Sequence, residues 1–274
     1  MKLSRASVLF GLLIWAAPAL AYIPPSEYIA KTMAQKKSGL KSAKVRGVVL
    51  GVNNEGALTG ARFIEETIYD GLTGTVRSFA LDEQNTELFR MERAIHKEAA
   101  TKDSAQLISS LLFESKPFLL FTEFKRWDLP IKTEDELLKL PDENERRNVE
   151  KTFFARQKLP GGLQVSWVIG EKAGNQVWIE KDTFMPSKVI LTGSDRVEVS
   201  LDSYRVTREV PFPRVITLVV EKETVFREEI QEISVNPSDL TDGRKTVGLG
   251  FTEAGNAVDA EVRELIRKYY KFIR

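Results

Sequence analysis

Leu163-Gln164-Val165-Ser166-Trp167-Val168-Ile169 decides the fold class. Leu163, Val165, Trp167 and Ile169 alternate with Gln164, Ser166 and Val168, the period of two that puts successive side chains on opposite faces of a strand. The same pattern repeats downstream. Ala173-Gly174-Asn175 reads as a hairpin turn, followed by Val177 and Ile179. Residues 182–187 turn the chain again before Val189 and Leu191. Gly193-Ser194-Asp195 then gives way to Val197, Val199 and Leu201. Val215–Val220 and Thr224–Val235 complete six β segments with short polar turns, the signature of antiparallel pairing. One face of such a sheet is apolar and must be covered.

Upstream, Val45–Val52, Ala57–Tyr69 and Thr73–Leu81 read as strands, with a fourth over Thr86–Met91. Asn53-Asn54-Glu55-Gly56 and Asp70-Gly71 supply the turns between the first three. Helical patterns flank and interrupt these strands. Ser26 is placed to cap a helix over 26–38 that carries Tyr28, Ile29 and Met33 and stops at Gly39. Asp103 is placed to cap a helix with Leu107, Ile108, Leu111, Leu112 and Phe113 on one face. Pro117-Phe118-Leu119-Leu120-Phe121 is a dense apolar patch. Residues 133–157 are charged and helical in pattern, with Thr133 and Glu136 spaced as a capping box and Pro141 dividing two short helices. A helical insertion over about 103–160 is therefore expected. Residues 252–273 read as a C-terminal helix with Val258, Val262, Leu265, Ile266 and Tyr269 on one face. Its basic-aromatic end, 268–274, either docks with the rest of the helix or contacts a partner or membrane.

Residues 1–21 have the three parts of a secretory signal peptide: Lys2 and Arg5, an apolar run over 8–17, and small residues ending at Ala21. The run is shorter than the ~20 residues that span a bilayer, which argues against the alternative of an uncleaved anchor. With no cysteine after Ala21, acylation there is excluded. A single domain over 22–274, periplasmic after cleavage, is the expected product. Without Lys2 and Arg5 the basic side chains fall from 40 to 38 against 39 acidic, a formal net of −1. Such a balance gives no basic stripe for nucleic acid.

The chain contains no cysteine and one histidine, His96. Thiol chemistry and disulfides are excluded, and the ligand sets of most zinc sites are missing. His96 sits among charged residues and reads as surface. No metalloprotease, nucleophile-elbow or phosphate-loop motif is present, and Gly248-Leu249-Gly250 lacks the remaining glycine spacing of a dinucleotide site. No catalytic residue, metal or cofactor is assigned. A carboxylate pair hydrolysing envelope glycans is the enzymatic alternative. Trp167 and Trp178 lie in strands as core or cross-strand partners, or line an apolar cavity.

The stretch Gln176-Val177-Trp178-Ile179-Glu180-Lys181-Asp182-Thr183-Phe184-Met185-Pro186-Ser187-Lys188-Val189 resembles the central hairpin of the LolA/LolB-type lipoprotein-carrier superfamily. Tyr204, Pro211-Phe212-Pro213-Arg214-Val215-Ile216 and Glu232-Ile233-Ser234-Val235-Asn236-Pro237 resemble its later strands. The resemblance covers roughly 163–237; the first half fits in pattern only. It implies an α+β fold, an incomplete antiparallel β-barrel (a curved sheet) wrapped over helices, with helices at both ends and an apolar cavity between. It also implies carriage of lipid or acylated lipoprotein in the periplasm, and an envelope membrane protein as a further partner. The cavity-facing candidates are Val165, Trp167, Ile169, Val177, Ile179, Val189, Leu191, Val197, Val199 and Leu201, with Phe118, Leu119 and Phe121 as plug or lid. No residue matches the basic cavity residue of the family, and the charged insertion over 125–160 departs from its pattern. An envelope-sensing or protein-interaction module with a filled cavity is the second reading.

Overall fold

The computed structural model describes residues 23–95, 102–142, 144–146, 152–159, 162–193, 195–240 and 249–274. The leader, His96 and Gly248 lie outside the described residues.

Among the described residues, twelve strands form one antiparallel sheet that does not close. Its first limb is a meander of β1 (Ser42–Val52), β2 (Leu58–Asp70), β3 (Thr75–Leu81) and β4 (Glu87–Ala94). The second limb runs through β5 (Thr152–Leu159), β6 (Gly162–Gly170), β7 (Gln176–Glu180), β8 (Pro186–Thr192), β9 (Arg196–Asp202), β12 (Val215–Val220) and β13 (Glu223–Val235). The limbs join where β1 pairs with β13, Val49 opposite Glu228. A two-residue strand, β14 (Gly250–Phe251), adds to β4 at one edge, and β5 forms the other. A small hairpin, β10 (Arg205–Thr207) with β11 (Val210–Phe212), turns at Arg208 and Glu209, both at positive φ.

The helices are α1 (Ser26–Gln35), α2 (Ser104–Phe113), α3 (Pro117–Arg126), α4 (Glu134–Leu138), α5 (Glu253–Ala257) and α6 (Ala260–Phe272). Their apolar faces share one core with the sheet: Ile29 and Met33, Leu107 and Leu111, Leu120 and Phe124, Ile266 and Tyr269 belong to the same cluster as Val177, Val189, Val199 and Phe226. The fold class is thus the expected α+β curved sheet over helices.

Several local expectations are corrected. Pro25, not Ser26, precedes α1; Ser26 is buried as its first residue, and its hydroxyl accepts from the Lys132 N–H at 3.3 Å. Residues 152–159, read as part of a helical insertion, form β5 instead. Phe153 and Phe154 pair there with Val168 and Trp167, and sheet pairing of aromatic residues outweighs the helical charge pattern before them. The C-terminal helix is two helices, broken where Asp259 accepts from the Glu261 N–H at 2.8 Å to cap α6. The caps at Asp103 and Thr133–Glu136 form as their spacing predicts.

Gly255 docks α5 against β4. A Cβ at this position would lie 1.9 Å from the Leu88 carbonyl oxygen, on backbone that cannot yield. Gly255→Ala is therefore expected to cost about 1–3 kcal/mol in denaturant unfolding, the usual range for overpacking. An unchanged midpoint would mean that α5 sits elsewhere.

Lys37, just after α1, is fully buried and donates to the Leu111 carbonyl of α2 at 2.7 Å. Burial pulls its pKa from 10.5 down to about 7, against the opposing charge of Glu114. Between those values the unfolded chain keeps a proton that the folded chain has released, so stability rises with pH across that window. Urea unfolding from pH 7 to 10 should show this slope, and Lys37→Met should flatten it.

Candidate binding cleft

A buried polar cluster lies near the centre of the sheet, on the face that α6 covers. Gly47 of β1 lies opposite Glu65 of β2, and β13 on the other side brings Glu228 alongside. With no side chain on Gly47 the two carboxylates have room; a Cβ there would come within 3.3 Å of Glu228 Oε1 and 2.9 Å of the Glu229 carbonyl. Arg274, beyond the end of α6, fills the space between them. Its Nε donates to Glu65 Oε1 and Thr67 Oγ1, both at 3.2 Å, and its Nη2 donates to Glu228 Oε1 at 3.2 Å. The Tyr269 hydroxyl donates to Glu228 Oε2 at 3.0 Å. All three charged groups are closed to water.

Two carboxylates share one guanidinium, so the pair retains a proton past the pH at which a free carboxylate has lost it. Burial raises Glu65 from 4.5 to about 7, although Arg274 opposes the shift, and raises Glu228 for the same reason. The folded state then binds more protons than the unfolded state between 4.5 and about 7, and stability falls as pH rises through that window. Glu65→Gln removes the surplus charge. Its thermal midpoint should vary less between pH 5 and 7 than that of the parent protein; an equally steep decline would remove Glu65 as the cause.

This cluster ties α6 into the hollow, and the sequence candidates are packed there. Ile169, Val177, Ile179, Val189 and Val199 are wholly buried in the shared core, and Leu201 nearly so. Trp167 packs against Phe184 with ring centres 4.8 Å apart and the rings tilted. Val165 is half-buried. The lid expectation does not hold for Phe118, which is 76% exposed on the outer face of α3. Leu119 and Phe121 are half-buried, and Leu120 and Phe124 are the residues of that helix that enter the core. Of the two readings of 268–274, the docked one is observed. Tyr269, Tyr270, Phe272, Ile273 and Arg274 are buried, leaving Lys268 and Lys271 outside.

Open space remains at the mouth of the hollow, as a cleft of about 670 Å³. Phe89, Met91 and Arg93 of β4 form one wall. Leu191, Thr192, Gly193, Asp195 and Val197 of the β8–β9 turn form another, six strands further along the sheet order. Their meeting is a consequence of the sheet's curl. Arg267, Tyr270, Lys271 and Phe272 of α6 make the floor and rim, and Lys102, Asp103, Ser104 and Trp127 complete it. Phe89 packs on Tyr270 at 4.6 Å and on Phe251 at 4.9 Å. The Trp127 carbonyl accepts from Asn175 Nδ2 at 2.8 Å, which pins the end of α3 to the β6–β7 turn.

Leu191 and Val197 are thus the two sequence candidates that reach the open cleft. Sequence reasoning missed Phe89, Met91, Arg93 and Trp127, whose common location depends on contacts between distant segments. It singled out the basic-aromatic end of α6 and left open whether that end docks or makes an outer contact.

Four cations and two carboxylates line the cleft. Arg93 pairs with Asp103, and its Nη2 donates to the Arg274 main-chain oxygen at 3.0 Å. Lys102 pairs with Asp128, and Lys271 lies 3.6 Å from Asp195. Each lining carboxylate therefore faces a cation. Among the described residues no group of acidic or histidine side chains is arranged to hold a metal, and no helix is long and apolar enough to cross a membrane.

No protein-family model matches the chain, and no curated protein matches it. Its structure is similar to those of LolA-superfamily and lipoprotein-sorting proteins. A LolA superfamily protein from Nitrosomonas europaea aligns over 79% of this chain and 96% of its own, at 6% identity and a TM-score of 0.42. An outer membrane lipoprotein-sorting protein domain from Vibrio parahaemolyticus aligns over 77% and 92%, at 9% identity and 0.41. A DUF1329 family protein from Desulfovibrio piger aligns over 79% and 95%, at 10% identity and 0.36.

Proposed function

We propose that this chain is an exported, non-enzymatic binder or carrier of lipid or lipoprotein acyl chains, working in the periplasm. The ligand would lie in the cleft between β4, the β8–β9 turn and α6. The observation that carries this reading is the open cleft itself: about 670 Å³, walled by Phe89, Met91, Trp127, Leu191, Val197 and Tyr270. That volume falls in the range of small-molecule sites. Each buried CH₂ of an acyl chain would contribute about 0.8 kcal/mol, so binding needs no catalytic group.

The test is uptake of a fluorescent undecanoyl probe by the full chain. Thr192→Trp, at the exposed rim, should weaken uptake about tenfold or more while the thermal midpoint stays near that of the parent. Trp167→Asp, in the packed core, should instead unfold the protein, because an unpaired buried carboxylate is costly. Absence of uptake by the folded parent protein would sink the carrier reading. It would favour the second one, an envelope-sensing or protein-interaction module, which draws its support from the hollow that α6 fills.

A further inference from the structure

We propose that the ligand of this cleft carries an anionic head, a carboxylate or a phosphate monoester, and that Arg267 and Lys271 receive it at the rim. The inference rests on the cleft reading above and adds the chemistry of the head. Four basic and two acidic side chains line the space, a surplus of two positive charges. The surplus is unevenly held. Arg93 and Lys102 have close carboxylate partners in Asp103 and Asp128. Arg267 and Lys271 do not: their nearest carboxylates, Glu264 and Asp195, stand at 4.0 and 3.6 Å. Their side chains are 63% and 64% exposed, so these ion pairs contribute little and exchange readily for a better anion.

Helical spacing aligns the two cations. They are four residues apart on α6, one turn above the other on the same face. Each also lies over an apolar ring, Arg267 over Phe251 at 5.5 Å and Lys271 over Phe272 at 4.7 Å. Their charges therefore sit at the boundary between greasy wall and water, where the head of an amphiphile must end. A cationic head would meet like charge on the rim, and a neutral head would leave both rim cations as they are.

The experiment measures binding of dodecanoate, dodecyl phosphate, neutral 1-dodecanoylglycerol and inorganic phosphate to the full chain. Alkyl ligands are kept below micelle formation. At low salt the two alkyl anions should bind at least tenfold more tightly than the neutral ester, and 1 M salt should remove most of that preference, since exposed charges are screened. The exposed-site variant Arg267→Gln/Lys271→Gln should bring the affinity for both alkyl anions down to that for the neutral ester, at a thermal midpoint near that of the parent; an undiminished preference would overturn the assignment of these two cations. Equal affinity for ester and anions would overturn the anionic head while leaving the cleft reading intact. Failure of all three alkyl ligands to bind would overturn both. Binding of inorganic phosphate as tight as that of dodecyl phosphate would make the site one for a free anion and overturn the amphiphile.

Discussion

One guanidinium between two carboxylates organises the inner face of this sheet. Glu65 and Glu228 stand on strands that flank β1, with Gly47 leaving the space between them, and Arg274 occupies it. Burying a charge without a partner is so costly that the three groups stay together or not at all. Because Arg274 lies two residues past the end of α6, the cluster fixes where that helix lies. Tyr269 then packs against Phe63 and Phe226, and Tyr270 against Phe89. The helix is thus held by aromatic contacts along its length and by charge at its end.

Two consequences follow for function. The hollow of the curved sheet is occupied by the protein's own helices, so an acyl chain has no room along most of the concave face. The same helix supplies one side of the cleft left at the mouth, where its buried face is aromatic and its exposed face cationic. The cleft thus combines an apolar wall with a cationic rim on one element.

Much of the fold was legible in the order of residues. Period-two alternation from Val165 to Leu201 and the turns at Ala173-Gly174-Asn175 and Gly193-Ser194-Asp195 specify consecutive antiparallel strands locally, and those strands form. Asp103 and Thr133 each accept from a backbone N–H of their own first turn, so their caps were legible too. The strand at 152–159 was not, because its conformation comes from pairing with β6. Phe118 and Leu120 differ in exposure although both are apolar neighbours, since the face of α3 that meets the core is chosen by packing.

For the candidate site the division is sharper. The sequence by itself determined an alternating sheet needing cover, flanking amphipathic helices, and a chain without thiol chemistry or metal-binding motifs, because those properties depend on residue type and near-neighbour spacing. Tertiary structure alone decided that most of the apolar stripe meets helices rather than empty space. It also decided that Phe89, Trp127, Leu191 and Tyr270 share one cleft, and that Arg274 lies between two glutamates. These depend on how far the sheet curls and on where a helix comes to rest, and both are set by contacts between residues far apart in the chain.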